Sequence, residues 1–157
     1  MLNVALAKGR LAASCADLFI KCGVRAEILR EETRKLVLET PDKKFRFFFV
    51  KPADVPTYAE YGIADIGIVG KDTLLEAECD LYELLDLKFE KCRLCLAGFP
   101  EKRAALSSPR LRVATKYANT AKKLFFSRGE DVEIIKLNGS IELAPLTGLS
   151  DVIFDIV

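Results

Sequence analysis

The sequence predicts a mostly parallel α/β fold with helices covering the faces of its sheets. Short apolar runs alternate with stretches of helical periodicity, and glycines or charged turns stand between neighbouring segments. Half of the 157 residues are apolar and Phe alone counts 10, so a chain of this length can fill a core and bury roughly 70% of its extended surface. No repeat of fixed period and no low-complexity tract interrupts the pattern.

Residues 2–7 are a short apolar run that suits a buried strand and stops at Lys8-Gly9-Arg10, where glycine permits a tight turn. Leu11, Cys15, Leu18, Phe19 and Cys22 then recur on one helical face, and Gly23 stands where a C-terminal cap belongs. Residues 24–30, 35–40 and 44–50 read as strands. The last two are joined through Pro41-Asp42 in a hairpin-like connection, and Phe45, Phe47 and Phe49 alternate. Asp54 is an N-cap candidate for a short helix through Tyr61, closed by Gly62. Residues 64–69, Ala-Asp-Ile-Gly-Ile-Val, read as a buried strand ending at Gly70, and Lys71-Asp72 opens the next helix. Strands over 81–87 and 92–98 follow, then a polar, Pro-punctuated surface excursion over 99–110. Beyond it come a strand at 111–115, a helix at 118–128 closed by Gly129, a strand at 132–137, a helical turn at 141–146 and a last strand at 152–157.

Composition excludes several classes of chemistry. The chain has no His, which removes Ser-His-Asp and Cys-His pairs, His-ligated zinc and the usual base near neutral pH. A net charge of +1 does not supply the basic field of a nonspecific nucleic-acid binder, and no apolar run reaches the roughly 18 residues of a membrane span. Lys8 and Arg10 cut the apolar opening short of a signal peptide, so the 5 Cys are expected to be reduced thiols of a cytoplasmic protein. Cys92 and Cys95 have thioredoxin-like spacing but fall inside a predicted strand, where residues three apart face opposite ways; they are expected to be core thiols.

In open parallel sheets ligands gather outside the carboxyl ends of strands, where this chain concentrates glycine and charge. Lys8-Gly9-Arg10, Gly70-Lys71-Asp72, Thr115-Lys116-Tyr117 and Asn138-Gly139-Ser140 each end a predicted strand and precede a predicted helix. Each offers backbone N–H groups and a positive helix end to an anion, and three add Lys or Arg. A phosphorylated ligand is their common denominator, against the plainer reading of each as a solvated turn. Glu142, Asp151 and Asp155 form an acidic group near the last strand; sugar hydroxyls, a magnesium ion or an internal salt bridge would each satisfy them.

Specific strings then point to a family. Ala-Lys-Gly-Arg-Leu at 7–11, Asp-Val-Pro-Thr-Tyr at 54–58 and Ala-Asp-Ile-Gly-Ile-Val-Gly-Lys-Asp at 64–72 are joined by Tyr-Glu-Leu-Leu-Asp-Leu at 82–87 and Cys-Arg-Leu at 92–94. Val-Ala-Thr-Lys-Tyr at 113–117 and Leu-Asn-Gly-Ser-Ile-Glu-Leu-Ala-Pro-Leu at 137–146 complete the set. Over essentially its whole length the sequence resembles the catalytic subunit of the ATP phosphoribosyltransferase family, the first enzyme of histidine biosynthesis. Glu142, Gly148, Ser150, Ile153 and Asp155 match the family pattern near its phosphoribosyl pyrophosphate site, while Lys51 stands where relatives often carry Arg.

The resemblance implies a two-lobed fold like the type II periplasmic binding proteins, with lobe I over 1–90, lobe II over 91–157 and the active site in the cleft between them. It implies attack of adenine N1 of ATP on the anomeric carbon of phosphoribosyl pyrophosphate, with release of pyrophosphate and with magnesium bound through the substrate phosphates. Arg10 and Arg34 would be the catalytic groups on the departing pyrophosphate, one of them reaching across a homodimer interface. Asp155 and Glu142 would sit near ribose hydroxyls, and Lys8, Gly70, Lys71, Lys116, Asn138, Gly139 and Ser140 would complete the substrate contacts. The absence of a regulatory tail resembles the short form, which works with a regulatory subunit similar to histidyl-tRNA synthetase. In the family a Thr-Gly-x-Thr loop that holds the sugar 5-phosphate follows the Asp matched by Asp155. The sequence ends at Val157, so the expectation is a C-terminally truncated lobe II with impaired activity. The readings that compete with an enzyme are a non-catalytic two-lobed module that binds a small anion and a subunit that contributes only assembly surface.

Overall fold

The computed structural model describes residues 1–31, 33–100 and 110–157. It divides into two compact units, Met1–Glu90 and Lys91–Val157, each built on a four-stranded sheet.

In the first unit β1 (Leu2–Leu6) leads into α1 (Arg10–Lys21), followed by a 3-10 turn (Glu27–Arg30), β2 (Val37–Glu39) and β3 (Phe45–Phe49). After a second 3-10 turn (Pro52–Asp54) come α2 (Val55–Glu60), β4 (Ile66–Ile68) and α3 (Lys71–Ala77). The strand order is β2-β3-β1-β4, with β1 parallel to both neighbours and β2 antiparallel to β3. The period-2 geometry of β1 explains the two-sided core. Val4 and Leu6 pack with Ala12, Cys15 and Ala16 of α1, while Ala5 packs with Val55 and Ala64 on the other face. Phe19 meets Phe45 and Phe47 edge-on at 5.5 and 5.3 Å, which fastens α1 to β3. The β2–β3 hairpin closes on Thr40, whose hydroxyl donates to Asp42 Oδ1 at 2.6 Å and accepts the Phe45 N–H at 3.1 Å.

The second unit contains β5 (Leu94–Gly98), β6 (Leu111–Thr115), α4 (Ala118–Ser127), β7 (Val132–Lys136), α5 (Leu143–Leu146) and β8 (Val152–Ile156). Its order is β5-β8-β6-β7, with β6 parallel to β7 and β8 and β5 antiparallel to β8. Leu111, Val113, Ala121, Phe125, Val152 and Phe154 fill one face; Ala114, Ile141 and Ala144 fill the other. Buried Thr115 ties the strand ends together, since its hydroxyl donates to Phe154 O at 2.5 Å and accepts the Tyr117 N–H at 2.8 Å.

Several expectations are corrected. Residues 24–30 are not a strand: Gly23, at φ 79°, ends α1, and the chain then bends so that Ala26 and Leu29, three apart, are the buried residues of a 3-10 turn. Both sides of β1 are taken by β3 and β4, which leaves no place beside it for another strand. Residues 81–87 also form no strand. No described strand pairs with them, and Tyr82, Leu84 and Leu85 are 94%, 82% and 71% exposed. Asp54 stands before α2 in helical conformation and makes no side-chain cap, because the preceding 3-10 turn already directs the chain. Residues 64–69 shorten to edge strand β4, with Asp65 and Gly67 exposed. Cys92 and Cys95 are not core thiols: β5 is an edge strand, leaving Cys92 exposed and Cys95 half-buried. The predicted excursion over 99–110 falls largely on 101–109, outside the described residues.

Candidate functional site

Each unit presents the carboxyl ends of its parallel strands as one edge. In the first unit, Lys8-Gly9-Arg10 follows β1 and Gly70-Lys71-Asp72 follows β4, the strand beside it. In the second, Thr115-Lys116-Tyr117 ends β6, Asn138-Gly139-Ser140 follows β7, and Asp155 lies near the end of β8. The structure therefore gathers the turns in pairs, as parallel pairing requires.

The first edge is shaped by Gly9, at φ 94° and ψ −146°, a backbone region open almost only to glycine. Lys8 precedes this bend and Arg10 opens α1 beyond it. Lys8 Nζ donates to Thr33 O at 2.8 Å and lies 5.4 Å from the centroid of the Phe49 ring. A hollow of about 310 Å³ opens there, lined by Lys8, Gly9, Arg30, Glu31, Thr33 and Phe49 among others. The Arg10 side chain is 91% exposed, with Nε 3.7 Å from Glu90 Oε2, while Glu90 Oε1 accepts the Ser14 hydroxyl at 3.2 Å. Arg34 is exposed one residue beyond Thr33. The two arginines thus stand on segments joined through Lys8. Lys71 is held by the Glu83 carboxylate, so its charge is partly neutralised within the chain.

At the second edge Lys116 is half-buried, with Nζ 4.7 Å from the centroid of the Tyr117 ring. Asn138, Gly139, Ser140 and Glu142 are exposed, and Ser140 takes φ 49°, a left-handed conformation. Asp155 is half-buried; its Oδ1 accepts the Ile156 N–H at 2.9 Å, and no ion pair to it is found among the described residues. Asp151 separates from the acidic group. It precedes β8, at the opposite end from Asp155, and pairs with Arg112 at 2.8 Å. The internal salt bridge is therefore the outcome for Asp151.

Helix length limits the field at two of the four turns. α1 and α4 have 12 and 10 residues, but α3 has 7 and α5 has 4. A macrodipole sums over aligned peptides, so the Asn138-Gly139-Ser140 turn can offer its own N–H groups and little helix field. Sequence reasoning missed Glu90, Ser14, Arg30 and Glu31 around the first edge. Glu90 is 76 residues from Ser14, a separation with no local signal.

Two sheets whose carboxyl edges carry glycine turns, guanidinium and ammonium groups fit an α/β protein that handles a phosphorylated, hydroxylated small molecule. Comparison with known proteins narrows that class. The family model described as HisG: ATP phosphoribosyltransferase matches residues 51–157. An ATP phosphoribosyltransferase from Brachyspira hyodysenteriae is 58% identical over 157 residues, covering 100% of this chain and 76% of the relative. One from Bacillus licheniformis is 53% identical, covering 99% of this chain and 72% of the relative. Among solved structures, a chain of the ATP phosphoribosyl transferase (HisG:HisZ) complex from Thermotoga maritima superposes with a TM-score of 0.76 at 36% identity, covering 100% of this chain and 74% of that one. The chain belongs to the ATP phosphoribosyltransferase family. No helix among the described residues is long and apolar enough to cross a membrane.

Proposed function

We propose that this protein transfers the phosphoribosyl group of phosphoribosyl pyrophosphate to N1 of the adenine of ATP, the first step of histidine biosynthesis. The observation that carries this reading is 58% identity, over every residue of this chain, to a protein named for that activity. In the reaction the bond from the anomeric carbon to pyrophosphate breaks, its electron pair leaves with the pyrophosphate, and the N1 lone pair forms the new bond with inversion. Such a displacement needs positioning and charge stabilisation but no covalent nucleophile, which suits a chain without His.

Arg10 and Arg34 take the departing pyrophosphate, where a guanidinium fork pairs with phosphate oxygens. Their exposure leaves both available to a ligand. Asp155 and Glu142 meet ribose hydroxyls, and Lys116 with the Asn138-Gly139-Ser140 turn holds the remaining phosphate charge. Gly70 and Lys71 stand at the β4 edge as secondary contacts. No group of three or more metal-ligating side chains is found among the described residues. Magnesium is compatible with this donor set, because it keeps several waters and rides on substrate phosphates with one or two carboxylates; half-buried Asp155, with no ion pair among the described residues, is the carboxylate that would assist. Bound there, the ion would offset charge on the pyrophosphate. The relative from Thermotoga maritima is described as a complex with HisZ, which supports a regulatory subunit as partner for this chain; a homodimer is part of the same proposal and rests on the family resemblance.

The test is turnover. With ATP, phosphoribosyl pyrophosphate and magnesium, together with the regulatory subunit, the absorbance of phosphoribosyl-ATP should rise in time. Binding of phosphoribosyl pyrophosphate without product, under the same conditions, would favour a small-anion binding module instead.

A further inference from the structure

Arg34 sits in a small turn. The Thr33 hydroxyl accepts the Lys35 N–H at 3.2 Å, closing a loop with Arg34 at its centre. Regular pairing begins just after it, where the Phe49 N–H donates to Leu36 O at 2.8 Å. What ties the turn to the β1–α1 bend is Lys8: its Nζ reaches across 25 residues of sequence to Thr33 O at 2.8 Å. The same ammonium lies near the Phe49 ring, on the strand that receives Leu36. Lys8 therefore touches both the backbone beside Arg34 and the strand that anchors the following residues, while its own backbone leads through Gly9 to Arg10.

We propose that Lys8 is a positioning residue for Arg34, a brace that fixes the 33–35 turn against the bend carrying Arg10, so that one side chain sets the spacing of both guanidiniums. The choice of ligand below rests on the phosphoribosyl transfer reading; the brace itself rests on the contacts. The chemistry favours lysine. A backbone carbonyl needs a donor at the end of a long stem, and the stem can lie along the ring while the ammonium bonds beyond it. A brace differs from direct ligand contact in one measurable way: its removal acts through Arg34 and is redundant once Arg34 is gone.

The experiment uses Lys8→Met, which keeps the length of the stem and removes the donor, with Arg34→Ala and the double variant. Magnesium pyrophosphate is titrated into each by calorimetry, and amide exchange is followed at Lys35 and along residues 4–6. Loss of one hydrogen bond is expected to weaken pyrophosphate binding about five- to tenfold in Lys8→Met, and less than about twofold when Arg34 is already Ala. Exchange at Lys35 should quicken while residues 4–6 stay protected, which marks a local release and not unfolding. Additive losses in the double variant, or unchanged exchange at Lys35, would overturn the brace, and additive losses would make Lys8 a direct anion contact. If wild-type protein fails to bind pyrophosphate while Lys8→Met still quickens exchange at Lys35, the brace stands and the phosphoribosyl reading falls.

Discussion

Arg112 and Asp151 form a two-point ion pair: Nη2 donates to Oδ1 at 2.8 Å and Nε to Oδ2 at 3.3 Å, while Oδ2 also accepts the Arg112 N–H at 2.9 Å. Nη1 adds a bond to Gly148 O at 3.0 Å. Planar, multidentate pairing of this kind holds the Arg guanidinium protonated and clamps the start of β8 to β6. The pair lies at the strand-start end of the sheet, away from Lys116 and Asp155. Asp151→Ala should lower the melting temperature by a few degrees, as expected for a geometrically good but half-exposed pair, and leave pyrophosphate affinity unchanged in the same preparation.

Arg10 and Arg34 carry the phosphate chemistry in our reading. Removing a charge-assisted contact costs about 1.5–3 kcal/mol, so each Arg→Ala change should weaken pyrophosphate binding roughly ten- to 150-fold by calorimetry. Arg→Lys should recover part of that, because Lys keeps the charge and loses the fork. Wild-type affinity in both Ala variants would remove these residues from the site.

Asp42 supplies a pH dependence. The Thr40 hydroxyl, the Lys44 N–H and neighbouring cations hold its carboxyl below the ordinary value of 3.8. A depressed folded pKa means that the unfolded chain binds the proton more tightly at acid pH. The contribution is therefore present above pH 3.8 and is lost as pH falls through the lower folded value. Urea titrations should show wild type more stable than Asp42→Ala at neutral pH, with the gap narrowing in strong acid. A constant gap would exclude the charge as its source.

Cys15 behaves in the opposite sense. Burial on the inner face of α1, against the sheet, pushes its thiol from 9.0 up to about 12, so it stays protonated and unreactive in the folded protein. Iodoacetamide at mildly alkaline pH should label exposed Cys22 and Cys92 in the native state, and Cys15 only after denaturation, as read by mass spectrometry. Because the folded pKa is the higher one, stability linked to this thiol is intact below pH 9.0 and declines as pH rises toward about 12. Cys15→Ser should flatten that alkaline decline.

Elements whose signals are local were legible in the residues. The apolar run before Lys8-Gly9-Arg10, the helical face of Leu11, Cys15 and Phe19, and the Pro41-Asp42 connection appear in the structure as β1, α1 and the β2–β3 hairpin. The errors fall where an expected strand needed a partner. Residues 24–30 and 81–87 carry apolar residues that suit strands, yet a strand exists only when another chain segment accepts its hydrogen bonds, and among the described residues none does. The candidate site divides in the same way: turn chemistry marked Gly9 and Asn138-Gly139-Ser140, whereas nothing local announced Glu90 beside Arg10.

The sequence by itself determined the α/β alternation, the family and the inventory of cations, glycines and carboxylates, because periodicity, turn residues and motifs are properties of neighbours along the chain. Only tertiary structure decided the strand orders, and with them which charged groups are engaged within the chain: Lys8 with Thr33, Lys71 with Glu83 and Asp151 with Arg112. The reason is physical. A charge is neutralised by whatever stands within a few ångströms of it, and residues 12 to 39 positions apart become neighbours only after the sheets have formed.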